Sequence, residues 1–259
     1  MLGSYEAFKE SIFQLTNIDL NSYKERQMKR RIDSLITKHG ITSYSSYVQI
    51  LKSEKVFYDE FINYITINVS EFYRNPEQWK VLENEIIPYI FNCFGKQLKI
   101  WSAACSTGDE PYSLVMLLSN FLPLSKIKII ATDIDRLVIE KAKIGIYHQK
   151  SLKDLPIEYI NKYFVQVNDK AYKIADEIKA CVDFKQHDLL KDPYPADCDL
   201  IVCRNVLIYF TDEAKNRIYN NFRQALKKNA ILFVGSTEQM LQANQLGFQS
   251  LKSFFYVKQ

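Results

Sequence analysis

The fold of this 259-residue chain can be inferred from one stretch, WSAACSTGDEPYS at residues 101–113. An apolar run ends at Ala103, a turn of small residues follows, and a helical pattern begins near Glu110. Small side chains at such a junction let a ligand approach the backbone, and ligands of doubly wound sheets bind at the carboxyl ends of the strands. The stretch predicts the first strand–turn–helix unit of a parallel sheet that binds a ligand. An ordinary tight turn, with its acids favoured by the helix dipole, is the alternative.

The same alternation continues through the rest of the chain. Strand-like apolar runs occupy 97–103, 126–133, 198–205 and 230–236, and helical patterns occupy Asp109–Phe121, Arg136–Gly145 and Asp212–Lys228. Strands that alternate with helices of this length indicate βαβ units and a parallel sheet. Residues 246–259 are typical of two strands joined by a short turn, so we expect an antiparallel hairpin at the end of the sheet. The predicted fold class is therefore α/β, with a Rossmann-like sheet.

The N-terminal part of the chain has a helical pattern instead. Apolar residues recur at three- and four-residue spacing in Tyr5–Gln14, Leu20–His39, Ser43–Ser53, Lys55–Ile67 and Glu77–Cys93. We therefore expect an all-helical domain at 1–78 and a sheet domain at 79–259. Within the second domain, residues 163–185 indicate strands around an Asn168-Asp169 turn, which predicts a small antiparallel β insertion.

Composition excludes several classes of protein. With 47% hydrophobic and 25% charged residues, the chain is neither disordered nor fibrous. A net charge of +4 neither requires nor excludes a nucleic-acid partner. Neither a signal peptide nor a transmembrane helix is expected, because basic flanks and long apolar runs are missing. Five cysteines without Cys-x-x-Cys spacing and three scattered histidines favour reduced thiols of a cytoplasmic protein and no metal site.

Carboxylates stand at two predicted strand ends. Asp109 and Glu110 occupy the place where a phosphate-binding loop would hold its anion, so this loop suits a cationic ligand. Asp133 ends the second strand, where an acid can accept both hydroxyls of a ribose; alternatively, Asp133 or Asp135 merely caps the next helix. The two features together indicate a nucleoside with a positive charge and no phosphate. S-adenosylmethionine (SAM) has this chemistry.

Two further strand ends carry candidate ligand-binding residues. Asp188 could accept a hydrogen bond from the adenine amino group and Leu189 could cover the ring, although a loop aspartate also forms ordinary turns. After the fourth strand, Asn205 is polar on the side where a ligand would lie, and Tyr209 follows four residues later. The apolar residues around them are equally consistent with packing.

Four blocks of this sequence resemble the CheR-type chemotaxis receptor methyltransferases, which methylate glutamates. The blocks are SAACSTGDEPYS, ATDID, CRNVLIYF and the run from Asn68 to Arg74, and they occur in the family's order and spacing. The resemblance covers nearly the whole chain. It implies a SAM-dependent methyltransferase sheet with an N-terminal helical domain and a β insertion. Departures from the family pattern are Asp109 for Glu, Ser70 for Thr, Tyr73 for Phe and Asp188 for Asn.

The resemblance also implies a set of site residues. The residues that would contact SAM, or the product S-adenosylhomocysteine (SAH), are Asn68, Ser70, Arg74, Glu110, Asp133, Asp188, Leu189, Asn205 and Val206. Arg74 and Tyr209 would border the centre of methyl transfer and act in catalysis. Glu110 would lie near the methionine part of the cofactor, and Asp133 would hold the ribose.

The implied function is transfer of a methyl group to glutamate carboxylates on the cytoplasmic helices of chemotaxis receptors, giving methyl esters during sensory adaptation. We expect a cytoplasmic monomer that uses neither nucleic acid nor membrane insertion. Family members that bind a receptor tethering peptide carry a longer, glycine-containing loop in the β insertion. The turn here, 166–170, is short and lacks glycine, which predicts independence from such a peptide; a purely structural sheet edge is the alternative.

The sequence is also compatible with two other functions. The basic stretch Lys24–Lys38 is compatible with an RNA-modifying enzyme of the same fold, although it is also typical of a solvated helix face. The chain lacks the Asn/Asp-Pro-Pro-Tyr-like and Pro-Cys motifs that base-modifying enzymes commonly use. A non-catalytic domain that only binds the cofactor or a partner is the second alternative.

Overall fold

The computed structural model describes residues 2–240 and 242–259. The helices are α1 (Tyr5–Thr16), α2 (Glu25–Lys38), α3 (Tyr44–Ser53), α4 (Lys55–Thr66), α5 (Pro76–Val81), α6 (Ile87–Phe94), α7 (Asp109–Leu118), α8 (Arg136–Ile144), α9 (Ile157–Tyr163), α10 (Asp176–Lys179) and α11 (Asp212–Ala225). The strands are β1 (Ile100–Ala103), β2 (Ile129–Asp133), β3 (Ile146–His148), β4 (Phe164–Asn168), β5 (Ala171–Ile174), β6 (Val182–Gln186), β7 (Cys198–Cys203), β8 (Leu226–Val234), β9 (Phe248–Lys252) and β10 (Phe255–Lys258). A π-helical turn, Leu82–Ile86, joins α5 to α6.

The chain forms two compact units, which we call the helical unit and the sheet unit. They comprise residues up to Asn68 with Leu207–Arg217, and Val69–Val206 with Ile218–Gln259, respectively. This division differs from the expected boundary between residues 78 and 79. Phe72 and Tyr73 are buried together with Trp79 in the core of the sheet unit, so the segment before α5 packs with the sheet.

In the helical unit, α2 shows how the sequence pattern becomes packing. Its buried residues are Met28, Ile32, Leu35 and Ile36, which is the apolar face expected from their three- and four-residue spacing. The predicted helix Leu20–His39 is interrupted. Asp19 accepts a hydrogen bond from Asn21 N (2.9 Å) and caps a short 3₁₀ turn, and α2 begins only at Glu25.

The sheet unit is built on seven strands in the order β6-β2-β1-β7-β8-β10-β9. Strands β6, β2, β1, β7 and β8 pair in parallel. Strands β10 and β9 form the expected antiparallel hairpin. The order reverses between β1 and β7, and ligands of open α/β sheets bind at such a switch point, beyond the carboxyl ends of the strands.

The extent of the small β insertion differs from the sequence expectation. A separate antiparallel sheet has the order β3-β5-β4, so its third strand precedes the predicted segment 163–185. Residues 182–186 instead form β6, which pairs in parallel with β2. Val182 and Phe184 pack against the core of the sheet unit, which explains why this stretch joins the large sheet. Strand β3 has three residues, too few to give a recognisable periodicity.

No helix in the described part of the chain is long and apolar enough to cross a membrane. All five cysteines are free thiols.

Candidate cofactor and active site

The loop between β1 and α7 has an unusual backbone. Ala104, Ser106 and Gly108 all have positive φ angles, of 63°, 48° and 89°. A Cβ atom on Gly108 would lie 2.9 Å from Ala142 Cβ, so only glycine fits there without displacing α8. Residues other than glycine rarely have positive φ angles, and those that do cluster at functional sites. The loop is therefore a specially shaped turn at the switch point of the sheet.

Asp133 belongs to this loop rather than to the cap of the next helix. Its Oδ2 accepts a hydrogen bond from Ser106 N (2.8 Å), and its Oδ1 accepts one from Asp135 N (2.9 Å). The cap of α8 is Asp135, which accepts from Leu137 N (2.8 Å). Burial raises the pKa of Asp133 to about 6. The sequence left open which aspartate caps the helix. In the structure, Asp135 caps α8 and Asp133 contacts the β1–α7 loop.

Glu110 lies in the first turn of α7, beside a buried arginine. Its Oε1 accepts a hydrogen bond from Ser102 Oγ (2.8 Å), and its Oε2 lies 3.8 Å from Arg204 Nη1. Burial raises the pKa of Glu110 to about 7, and the positive charges of Arg204 and Arg74 oppose the rise. A cationic ligand group near this carboxylate would favour its ionised form in the same way.

Asp109 is the more deeply buried neighbour of Glu110, with 1% of its surface exposed. Its Oδ2 accepts a hydrogen bond from Thr107 Oγ1 (2.5 Å). Burial raises its pKa to about 6, while the hydroxyls of Thr107 and Ser70 act against the increase. Ser70, one of the predicted cofactor residues, is thereby placed beside the first turn of α7.

Arg204 anchors the segment that carries Arg74. Its Nη2 donates to Arg74 O (2.7 Å), to Gln78 Oε1 (2.8 Å) and to Asn75 Oδ1 (3.3 Å). The guanidinium also lies over the ring of Phe233, 4.7 Å from its centre. Sequence reasoning missed Arg204 as a functional residue. The available signal was a charged residue at the end of an apolar strand, directly before Asn205.

Arg74 itself is half-buried, and its Nη1 donates to Val69 O (3.3 Å). Its charge opposes the rise in the pKa of Glu110, and it adds to the effect of burial, which lowers the pKa of Arg204. The guanidinium therefore lies within electrostatic reach of both groups. The structure therefore brings Arg74 together with the residues after β1 and β7.

Asp188 and Leu189 follow β6, next to β2. Asp188 Oδ1 accepts a hydrogen bond from Leu190 N (2.8 Å), which is the local turn that the alternative interpretation expected. Burial also raises the pKa of Asp188. Leu189 is buried, and its carbonyl accepts from Tyr194 Oη (2.6 Å). Both residues follow the carboxyl end of β6, at the same edge of the sheet as the carboxyl ends of β2 and β1.

Asn205 and Val206 follow β7 and are held by a residue that sequence reasoning missed. Their backbone amides donate to Glu238 Oε2 (2.6 Å) and Oε1 (2.7 Å). Asn205 has a φ of 59°, in the left-handed region that asparagine tolerates better than most residues.

Two predicted site residues, Asn68 and Tyr209, belong to the helical unit. The Asn68 side chain donates to Thr66 Oγ1 (2.8 Å) just after α4. Tyr209 ends a 3₁₀ turn, and its carbonyl accepts from Lys24 N (2.9 Å) at the start of α2. The other predicted residues all lie in the sheet unit.

The donor set of the sheet unit fits SAM. The buried carboxylates Asp109, Glu110 and Asp133 follow β1 and end β2, where a phosphate would be repelled and a sulfonium, an ammonium or a ribose would be accommodated. Ser106 Oγ is buried without a hydrogen-bond partner among the residues that the structure describes. Within the same residues, no group of three or more His, Cys, Asp and Glu side chains is arranged to hold a metal ion.

This fold and these carboxylates define the class of SAM-dependent methyltransferases. Residues 68–256 match the family model described as CheR methyltransferase, SAM binding domain, and residues 3–66 match CheR methyltransferase, all-alpha domain. The chain belongs to the CheR methyltransferase family, with SAM as its cofactor, which confirms the resemblance and the cofactor expected from the sequence.

Bacterial relatives match over most of their length. The chemotaxis protein methyltransferase of Listeria innocua is 40% identical over 98% of this chain and 97% of its own. The protein of the same name in Listeria monocytogenes is also 40% identical, with the same coverage. The Escherichia coli chemotaxis protein methyltransferase is 31% identical over 90% of this chain and 83% of its own.

Proposed function

We propose that this methyltransferase esterifies glutamate side chains on the cytoplasmic helices of chemotaxis receptors, as part of sensory adaptation. The observation that carries the proposal is the cluster after β1 and β7, in which Arg204 Nη1 lies 3.8 Å from Glu110 Oε2 and Arg204 Nη2 donates to Arg74 O (2.7 Å). The guanidinium of Arg74, close to the protein carboxylates that would bind the cofactor, can orient the carboxylate that accepts the methyl group. The names of the relatives support a role in chemotaxis.

In this proposal, different residues contact different parts of the cofactor. Asp133 holds the ribose hydroxyls, and Glu110 lies against the cationic methionine part. Asp188 and Leu189 border the adenine. The remaining cofactor contacts are Asn68, Ser70, Arg74, Asn205 and Val206.

The proposed chemistry needs no general base. When bound, SAM supplies a methyl group on a sulfonium, and a carboxylate oxygen that accepts it becomes a methyl ester, with SAH as the second product. A glutamate with a reference pKa of about 4.3 is already ionised at neutral pH. Arg74 would orient this carboxylate, and Tyr209 would border the acceptor. The protein's contribution is then alignment and exclusion of water.

The basic face of α2 supports an acidic protein substrate. A shallow groove on this helix is lined by Arg26, Lys29, Arg30, Asp33, Ser34, Thr37 and Lys38. Two cations of α2 have partners within the helical unit: Lys29 pairs with Asp33 (2.7 Å), and Arg31 donates to Tyr64 O (2.7 Å). Arg26 and Arg30 are exposed, so we propose that these two attract glutamate-rich receptor helices.

We further propose that the chain acts as a cytoplasmic monomer and without a tethering peptide. The β4–β5 turn is closed by Asn168, whose Oδ1 accepts from Lys170 N (2.9 Å), and it has no glycine. Titration with an aromatic-acidic receptor carboxyl-terminal pentapeptide should give no saturable binding. Micromolar binding that maps to β4 or β5 would contradict this part of the proposal, and sedimentation would test the monomer.

Transfer of labelled methyl groups tests the proposal against its alternatives. The chain should label receptor-enriched membranes, and the label should be released by mild base and map to glutamates in peptides. Labelling of bulk RNA instead would favour a nucleic-acid enzyme. SAH binding without methyl transfer to either receptor membranes or RNA would favour a binding domain.

A further inference from the structure

Glu238 is a buried carboxylate that the proposed reaction does not use. It follows β8, and 6% of its surface is exposed. Its Oε2 accepts hydrogen bonds from Asn205 N (2.6 Å) and Gly235 N (2.8 Å), and its Oε1 accepts one from Val206 N (2.7 Å). Bonds from amides to a carboxylate are stronger than those between neutral groups. One side chain thus ties together the carboxyl ends of the paired strands β7 and β8.

These bonds determine the conformation of the loop after β7. Asn205 is in the left-handed region, with a φ of 59°, and its amide and that of Val206 converge on the same carboxylate. Such a conformation persists when surrounding contacts hold it. Without Glu238, the two amides would lose the acceptor of their hydrogen bonds.

Gly235 provides the space for this arrangement. A Cβ atom at this position would lie 2.5 Å from Glu238 Oε2 and 2.6 Å from Asn205 N. Real Cβ atoms do not approach other atoms so closely, so any larger residue would displace the carboxylate or the loop. The loop conformation therefore depends both on the small size of Gly235 and on the carboxylate of Glu238.

We propose that Glu238 is a positioning residue for the cofactor, whose carboxylate holds Asn205 and Val206 in the conformation that contacts SAM. The proposal rests on the proposed roles of those two residues. Glu238 acts through their backbone amides and takes no part in methyl transfer.

Calorimetry with SAH and steady-state kinetics test this role in the full chain. Glu238→Gln replaces one acceptor oxygen by an NH₂ group that faces a backbone N–H. SAH affinity should fall about tenfold and KM for SAM should rise, with a smaller change in kcat. Gly235→Ala should change the same quantities in the same direction, because the added Cβ displaces the Glu238 carboxylate or the loop while both oxygens of the carboxylate are kept. Thr237→Ala, an exposed neighbour, is the matched control and should bind SAH like the wild type.

The outcomes of these measurements separate the positioning role from its alternatives. Unchanged SAH affinity in folded Glu238→Gln overturns the positioning role, even if thermal stability falls, since a purely structural glutamate would give that pattern. If Glu238→Gln does not fold, Gly235→Ala decides by the same criterion. Asn205→Ala isolates the underlying proposal: unchanged affinity there refutes the role of Asn205 itself. If Asn205→Ala binds SAH more weakly but Glu238→Gln binds it like the wild type, only the positioning role is refuted.

Discussion

The carboxylates of the sheet unit and the cations of α2 differ in their exposure to solvent. Asp109 and Asp133 are 1% and 5% exposed, and each accepts hydrogen bonds from neighbouring groups. Arg26 and Arg30 are exposed along one helix. The aspartates are thus surrounded by protein atoms, whereas the arginines are surrounded by solvent.

The difference determines how much each charge contributes. A buried charge interacts in a medium of low effective dielectric constant, so its partners change its pKa and its ligand affinity strongly. An exposed charge is screened within about 8–10 Å at moderate salt and contributes little to stability. The buried set is therefore suited to recognising one cofactor, whereas the exposed set is suited to attracting many acidic segments. Four predictions test this contrast.

The largest effect is expected at Arg74, which lies beside the buried groups. Arg74→Ala should lower kcat by about a hundredfold, because misplacing a reacting group costs that order of rate. The melting temperature should change little. Arg74→Lys should restore only a small part of the rate, since a point charge lacks the planar fork of arginine. Wild-type turnover in folded Arg74→Ala would show that the residue is only structural.

Asp133, which ends β2, and Asp135, which caps α8, form a matched pair. Asp133→Ala should weaken SAH binding by about 1–3 kcal/mol, because a charged acceptor is lost. Asp135→Ala should instead lower the free energy of unfolding by about 1 kcal/mol through loss of the α8 cap, with a smaller effect on affinity. Calorimetry and thermal unfolding of both variants measure the contrast. Equal SAH affinity in wild type and Asp133→Ala would refute the ribose assignment.

Glu110 should make stability and cofactor binding respond to pH in opposite directions. Burial raises its pKa in the folded state from 4.5 to about 7, so the folded state binds the proton more tightly than the unfolded state. The contribution of Glu110 therefore stabilises the ligand-free protein as pH falls from about 8 to about 5. SAH affinity should decrease over the same range as the carboxylate becomes neutral.

Glu110→Gln separates this effect from other titrating groups. At pH 8 the variant should be more stable than the wild type and should bind SAH more weakly. Its affinity should also depend less on pH. Denaturant unfolding and calorimetry across this range provide the measurement, and an unaltered pH profile of SAH binding in the variant would contradict the assignment.

The smallest effect is expected on α2. Reversing both exposed charges, Arg26→Glu with Arg30→Glu, should raise KM for receptor membranes about threefold at low salt and leave SAH affinity unchanged. Added salt should bring the wild type close to the variant. Lys96→Glu with Lys228→Glu, on exposed positions of the sheet unit, gives the same change in net charge as a control. Identical KM values for the two double variants at low salt would exclude a local docking role.

Much of the fold could be predicted because its signals are local. Short apolar runs and three- or four-residue spacing depend only on near neighbours in sequence, and the strands, the α2 face and the terminal hairpin followed them. Residues 182–185 were misassigned to the β insertion because a short strand carries no information about which sheet it joins. That choice depended on the packing of Val182 and Phe184 against a distant core.

The site could be predicted only in part, for a related reason. Asp133 and Asp135 are the same residue type two positions apart, and only the fold of the β1–α7 loop places Ser106 N against the first of them. Arg204 bonds Gln78 across 126 residues of sequence, and Glu238 reaches back across 33 residues to Asn205. Neither partnership leaves a pattern in the linear chain.

The sequence by itself determined the class of protein and the chemistry of its cofactor, since strand ends with small residues and acids are local features that can be recognised in order. Tertiary structure alone decided which acids are buried, which arginine supports Arg74 and which glutamate holds the loop after β7. The physical reason is that the energy of a charge depends on its desolvation and on its partners, and both are set by residues that only folding brings together.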